Sequence, residues 1–320
     1  MIDSDISQPD SPVLGFPIDQ RDRNGIIPLM CAVGVNLPQA LPVIKLLAKK
    51  KPVSKTRQNK DGMTVLHIAV AARNLNAVQL LVEELDCSVD LVDNEQRTPL
   101  HYAAEHAYPE IVQYLLNHGA RNSTRDKLGV TPAHYAAQFS ADCLRIILTE
   151  SRISEVKDNE GRSCLMWAVC AGNIDVIHYL IQREDAPDRR AVIEQEDNFL
   201  KSPLVGWRDQ DGKTALHEAC IAGKIDCVLS LLKGGSAINA IDYDEKTPLD
   251  CAIQFKHKMV SCKVNIEAIR LMIDSDIAQP DSPVLGFPID QRDRNGIIPL
   301  MCAVGVNLPQ ALPVIKLLAK

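Results

Sequence analysis

Four histidines and one Gly-Lys-Thr triplet are the residues of this sequence whose types could do chemistry. His67, His101, His134 and His217 each carry an imidazole able to hold a metal or move a proton. Either use needs several such groups to converge on one point. Each of these histidines instead closes the same kind of tetrapeptide: Thr64-Val-Leu-His67, Thr98-Pro-Leu-His101, Thr131-Pro-Ala-His134 and Thr214-Ala-Leu-His217. Residues with one place in successive copies of a unit are translated along a stack and kept apart. The expectation is therefore an imidazole that hydrogen-bonds to backbone and stiffens a turn, with no catalytic residue and no metal site.

The other chemical motifs fail on spacing. His217-Glu218-Ala-Cys-Ile221 falls short of the zinc helix H-E-x-x-H because position 221 is Ile. Gly212-Lys213-Thr214 ends like a phosphate-binding loop, but Trp207 stands where that loop needs its first Gly, so no nucleotide and no other cofactor is expected. Cys31, Cys87, Cys143, Cys164, Cys170, Cys220, Cys227, Cys251, Cys262 and Cys302 form no C-x-x-C pair, and they read as small core thiols of a reducing cytosol. Asn122-Ser-Thr124 fits a glycosylation acceptor, which matters only in a secreted chain. The formal charge of −6 comes from interspersed residues of both signs, with Lys49 to Lys51 the one basic cluster, which argues against a nucleic-acid partner. Gly25 to Ile44 has no charged residue, yet Pro28, Pro38, Pro42, Asn36 and Gln39 interrupt it and Asp3, Asp5, Asp10 and Asp19 precede it, so membrane insertion is not expected.

What must position these residues is a repeating unit. The tetrapeptides start at 64, 98, 131 and 214, joined by degenerate copies at Ser163-Cys-Leu-Met166 and Thr247-Pro-Leu-Asp250. Asp-x-x-Gly ahead of the tetrapeptide, as in Asp126 to Gly129, Asp158 to Gly161 and Asp209 to Gly212, signals a turn, with Gln96 and Glu245 replacing the Gly in two units. Thr caps the entrance of a first helix and Pro presets its first turn. Ala103 and Ala104 leave that helix thin enough to stack, and Ile111, Val112, Leu115 and Leu116 give a second helix its apolar stripe before Gly119 stops it. With aromatics at only 4%, the composition also suits stacked short helices, and the fold class expected is all-α.

Period, TPLH tetrapeptide, double-Ala helix and LL-x-x-Gly-Ala ending together closely resemble the ankyrin-repeat family. The resemblance implies a single solenoid over 1–320, of helix-turn-helix units joined by β-hairpin-like loops, with about eight repeats at 22–49, 59–86, 93–122, 126–151, 158–182, 209–239, 242–274 and 293–320. Residues 183–206 and 255–286 exceed the period and read as long inserts. Residues 272–320 repeat 1–49 with one change, Ser7 against Ala278, and the expectation is a fragment or a mis-joined version of a longer protein.

The resemblance also implies a function. Ankyrin arrays bind proteins in a concave groove lined by the first helices, and the variable pairs after the double Ala fall there: Glu105 and His106, Gln138 and Phe139, Cys170 and Ala171, Ile221 and Ala222. Phe139 is the candidate anchor, since a large exposed aromatic flanked by polar residues is a typical hot spot. The hairpin tips carry Arg97, Arg162, Lys213 and Lys246 beside Glu95, Glu160, Asp211 and Asp244, a self-paired surface of secondary importance. The order of degenerate details, above all Met166-Trp-Ala168, resembles the ankyrin region of the inversin family of ciliary scaffolds. That would imply a non-enzymatic cytoplasmic scaffold at the primary cilium or its base, nephrocystin-type partners and a role in Wnt signalling. The calmodulin-binding segments of that family match nothing here. The alternatives are the cytosolic ankyrin module of an ion channel, or an ankyrin appendage of an enzyme whose catalytic domain lies outside the chain.

Overall fold

Thr98 shows how each unit begins. Its backbone is extended, at φ −88° and ψ 166°, and its side chain closes a reciprocal cap with His101, so the chain turns sharply into a helix that starts with Pro99. The same box forms at Thr64 with His67, Thr131 with His134 and Thr214 with His217. The computed structural model describes residues 20–37, 39–49, 56–149, 156–182 and 203–258. These form antiparallel helical hairpins, each a short first helix and a second one: α1 (Pro28–Gly34) and α2 (Ala40–Lys49), α3 (Val65–Ala71) and α4 (Leu75–Glu83), α5 (Pro99–Glu105) and α6 (Pro109–Asn117), α7 (Pro132–Phe139) and α8 (Ala141–Thr149), α9 (Cys164–Ala171) and α10 (Ile174–Gln182), α11 (Ala215–Ile221) and α12 (Ile225–Lys233). The first helix of a further unit, α13 (Pro248–Lys258), follows and takes in Phe255 to Lys258, the start of the 255–286 interval.

The fold is an all-α solenoid. Among the described residues the loops hold no strand, only an isolated antiparallel bridge between Lys157 and Ser163. First helices stack on first helices and second on second, with α7 packed between α5 and α9 and α8 touching both α6 and α10. The close approach follows from small side chains: Ala103, Ala104, Ala136 and Ala137 are wholly buried. Ile111, Val112, Leu115 and Leu116 fill the layer behind them. Of the 183–206 interval, Pro203–Gly206 forms a 3-10 turn against α10 and α11. The rest of it, the repeat at 293–320 and the second copy at 272–320 lie outside the described residues.

Two hydrogen-bond ladders tie neighbouring turns together. At the tips, backbone N–H groups of Lys60, Asn94, Lys127, Asn159, Gln210 and Tyr243 donate to the carbonyls of Asn24, Asp61, Glu95, Leu128, Glu160 and Asp211, each at 2.9 or 3.0 Å. Beneath them, the residue ahead of the turn aspartate reaches one repeat onward: Arg125 to the Lys157 carbonyl at 2.8 Å, Lys157 to that of Arg208 at 2.8 Å, and Arg208 to that of Ile241.

The tip geometry demands a left-handed residue. Gly129 has φ 74°, and a Cβ there would stand 2.8 Å from the Asn159 nitrogen of the ladder. Gln96 and Glu245 hold the same slot at φ 64° and 62°. Gly129→Ala should therefore lower stability by about 2 kcal/mol, from left-handed strain and a damaged ladder bond, whereas Gln96→Gly should raise it by up to about 1 kcal/mol. Paired urea titrations check both signs, and a stabilising Gly129→Ala would refute the assignment.

Candidate protein-binding groove

The imidazoles set the position of the groove helices. In the third repeat His101 Nδ1 accepts the Thr98 N–H at 3.0 Å and meets Thr98 Oγ1 at 2.9 Å, while Nε2 donates to the Val130 carbonyl of the next repeat at 3.2 Å. His67, His134 and His217 repeat the pattern toward the carbonyls of Arg97, Arg162 and Lys246. All four are fully buried. Burial lowers their pKa values, that of His101 to about 4, so each is a neutral strut between repeats.

A second row runs along the same helices. The turn aspartates Asp93, Asp126 and Asp158 are buried, and each accepts a hydrogen bond from the aromatic residue nine places on: Tyr102 OH at 2.8 Å, Tyr135 OH at 2.9 Å and Trp167 Nε1 at 2.9 Å. Burial alone would raise Asp93 and Asp158. Hydrogen bonds from Arg97 and Tyr102 on the first, and from Trp167 and Arg162 on the second, outweigh it and hold both carboxyls below the usual carboxylate value. Arg97 lies over the Tyr102 ring with its Cζ 4.5 Å from the centroid, and Arg162 over Trp167 at 5.2 Å. Tyr135 and Trp167 meet edge to face, with centroids 5.8 Å apart.

Between α5, α7 and α9 these side chains border an open cleft of about 460 Å³, lined by Glu105, Tyr135, Gln138, Phe139, Arg162, Trp167 and Cys170. It brings together four of the residues expected from the variable pairs, Glu105, Gln138, Phe139 and Cys170, with Arg162 from a tip. Phe139 ends α7 at 49% exposure, a large apolar ring left in solvent at the cleft wall. The remaining members of the pairs stand apart from the lining. His106 caps α5, its Nδ1 3.0 Å from the Tyr102 carbonyl and its ring stacked on Tyr102. Ala171 is exposed at the end of α9, Ile221 is half-buried and Ala222 exposed at the end of α11.

The tips depart from simple self-pairing. Lys213 meets Asp211 at 2.9 Å, Lys246 meets Asp244 at 3.6 Å and Arg162 meets Glu160 at 3.0 Å, as neighbours two residues apart should. Arg97 turns inward instead, to Asp93 at 3.2 Å and Glu105 at 3.6 Å, because the Tyr102 ring and hydroxyl draw its guanidinium onto α5. Glu95 is left to pair with Lys127 of the next repeat at 3.5 Å. Sequence reasoning missed Tyr102, Tyr135 and Trp167. The available signal was their place, three residues before Glu105, Gln138 and Cys170 on the same helical face.

Stacked helical hairpins with a lined cleft and interlocking turns define a repeat protein of the interaction-module class. The family described as ankyrin repeats matches in three copies, over residues 29–126, 120–191 and 190–262, and the chain belongs to that family. It is 30% identical over 218 residues to the B-cell lymphoma 3 protein of Homo sapiens, covering 61% of this chain and 48% of that protein. It is 32% identical over 230 residues to inversin of Canis lupus familiaris, covering 71% of this chain and 20% of inversin. The chain thus spans under half the length of these relatives. The crystal structure of the ankyrin repeat domain of Bcl-3, a member of the IkappaB protein family, superposes with a TM-score of 0.60 at 24% identity, over 81% of this chain and 100% of that domain. Among the described residues no helix is long and apolar enough to cross a membrane.

Proposed function

We propose that this chain is a non-enzymatic scaffold that holds a partner protein in the groove along its first helices. The observation that carries the reading is the cleft, where an exposed Phe139 shares one lining with the rings of Tyr135 and Trp167 and the amide of Gln138. The imidazoles and aspartates behind it serve as rigid supports, each engaged in hydrogen bonds within or between repeats. The likeness to inversin favours a cytoplasmic scaffold at the ciliary base, with nephrocystin-type partners and a role in Wnt signalling.

Phe139→Ala should leave the fold intact, because the ring is half-exposed, and should weaken partner binding by about tenfold or more, as removal of a hot-spot aromatic does. The check is capture from ciliated-cell extract by the full chain and by the variant, with the partner then titrated as a purified protein. Equal affinity for both would move the binding site away from the cleft.

A further inference from the structure

The row of aromatic residues beneath the cleft is incomplete in one respect. Tyr102 in the third repeat and Trp167 in the fifth are each covered by an arginine of their own turn, which also bonds the turn aspartate: Arg97 to Asp93 at 3.2 Å, and Arg162 to Asp158 at 2.8 Å. In the fourth repeat the same position is Val130, wholly buried. Tyr135 therefore bonds Asp126 at 2.9 Å with no guanidinium from its own turn. The cleft lies at this seat, walled by Tyr135, Phe139, Gln138 and Glu105.

Charge around the seat favours a cation. Of the charged residues in its lining, Glu105 and Arg162, the Arg162 guanidinium is already taken up by Asp158 and Glu160, as that of Arg97 is by Asp93 and Glu105, while the turn aspartate Asp126 bonded to Tyr135 has no guanidinium of its own turn. Glu105 keeps acceptor capacity, since its one ion pair is at 3.6 Å and its side chain is 32% exposed. An aromatic ring beside a carboxylate in a partly desolvated cleft is good ground for a guanidinium, which stacks on the ring and donates a directed hydrogen bond to the carboxylate at once. The pattern on either side supplies the template.

We infer that the groove takes a basic partner segment, with an arginine of the partner seated over Tyr135, its stem against Phe139 and its head directed to Glu105. This rests on the groove reading above and gives it a partner chemistry. The seated arginine completes the series begun by Arg97 and Arg162 from outside the chain.

The test uses the full chain and a random dodecapeptide phage library, with selected peptides then titrated by fluorescence anisotropy. Selected peptides should share an arginine beside apolar residues. Replacing that arginine with norleucine, or Glu105 with Gln in the chain, should weaken binding about tenfold, and binding should fall with added salt. Val130→Arg, which supplies the missing guanidinium from within, should abolish binding by a chain that circular dichroism shows to be still folded; Glu105→Gln serves if that variant does not fold. Peptides that lose affinity for Phe139→Ala but carry no basic residue, or bind Glu105→Gln unchanged, overturn the inference and leave the groove standing. Selection of peptides all indifferent to Phe139→Ala overturns the groove itself and this inference with it.

Discussion

Replacing His101 with alanine is expected to cost the array about 3 kcal/mol of unfolding free energy. The imidazole is fully buried and bonds in two directions, to the cap of its own helix and to the carbonyl of Val130 in the next repeat. Alanine leaves the Thr98 N–H without its acceptor in a buried site, worth roughly 1–3 kcal/mol, and opens a ring-sized void besides. The Val130 carbonyl suffers less, since it also accepts the Asp126 N–H at 3.0 Å. His118→Ala is the control, an exposed residue whose loss should shift stability by under about 0.5 kcal/mol. Urea unfolding followed by far-UV circular dichroism measures both, and a loss below about 1 kcal/mol for His101→Ala would show that the strut is dispensable.

The fifth repeat offers a natural comparison. Met166 stands where the second, third, fourth and sixth repeats have His, and its cap is reduced to a bond of 3.4 Å from the Met166 N–H to Ser163 Oγ. The thioether fills the space but cannot reach the next repeat with a hydrogen bond, so the junction from α9 to α11 lacks the strut present at the junctions from α3, α5, α7 and α11. Trp167 partly compensates there, through its bond to Asp158 and its contact with Tyr135.

The repeating part of this fold was legible because it is local chemistry said several times over. Thr, Pro and His at fixed spacing specify a capped helix start, and paired alanines specify close stacking, so the hairpins and the role of the imidazoles could be read without coordinates. Glu105, Gln138, Phe139 and Cys170 could be placed near one another for the same reason, as residues at equivalent places in adjacent repeats. The place of Tyr102, Tyr135 and Trp167 on the groove face was legible from their i, i+3 spacing to Glu105, Gln138 and Cys170, but their bonds to the turn aspartates were not, because those partners lie nine residues back, a separation that neither helical nor strand periodicity marks. Arg97 was misread on similar grounds: proximity in sequence paired it with Glu95, while the ring of Tyr102 decided otherwise. Interlocking between turns has no short-range signature either, as the reach of Arg125, Lys157 and Arg208 into the following repeat shows.

Acidification should unfold the array before its carboxylates titrate. In each strut Nδ1 accepts a backbone N–H and must stay unprotonated, and burial further penalises the cation, so His67, His101, His134 and His217 all lie below 6.5 in the folded chain. The unfolded chain then binds more protons between the two values, and stability drops as pH falls. It is full above about 6.5 and declines as pH falls toward the folded value. For His101, whose folded value is about 4, the gap amounts to roughly 3 kcal/mol at about pH 4, with three further imidazoles acting in the same direction. Below 3.8 the lowered Asp93 and Asp158 add their own loss as they protonate. Glu218, raised first by burial, works the opposite way, but one half-buried carboxylate cannot offset four buried imidazoles. Urea midpoints taken in half-unit steps from pH 7.5 to 4.5 should therefore fall steadily below about 6.5, a range in which carboxylates of ordinary pKa stay largely ionised. A midpoint constant down to pH 5 would mean that the imidazoles titrate without cost, and hence that they do not serve as neutral struts between the repeats.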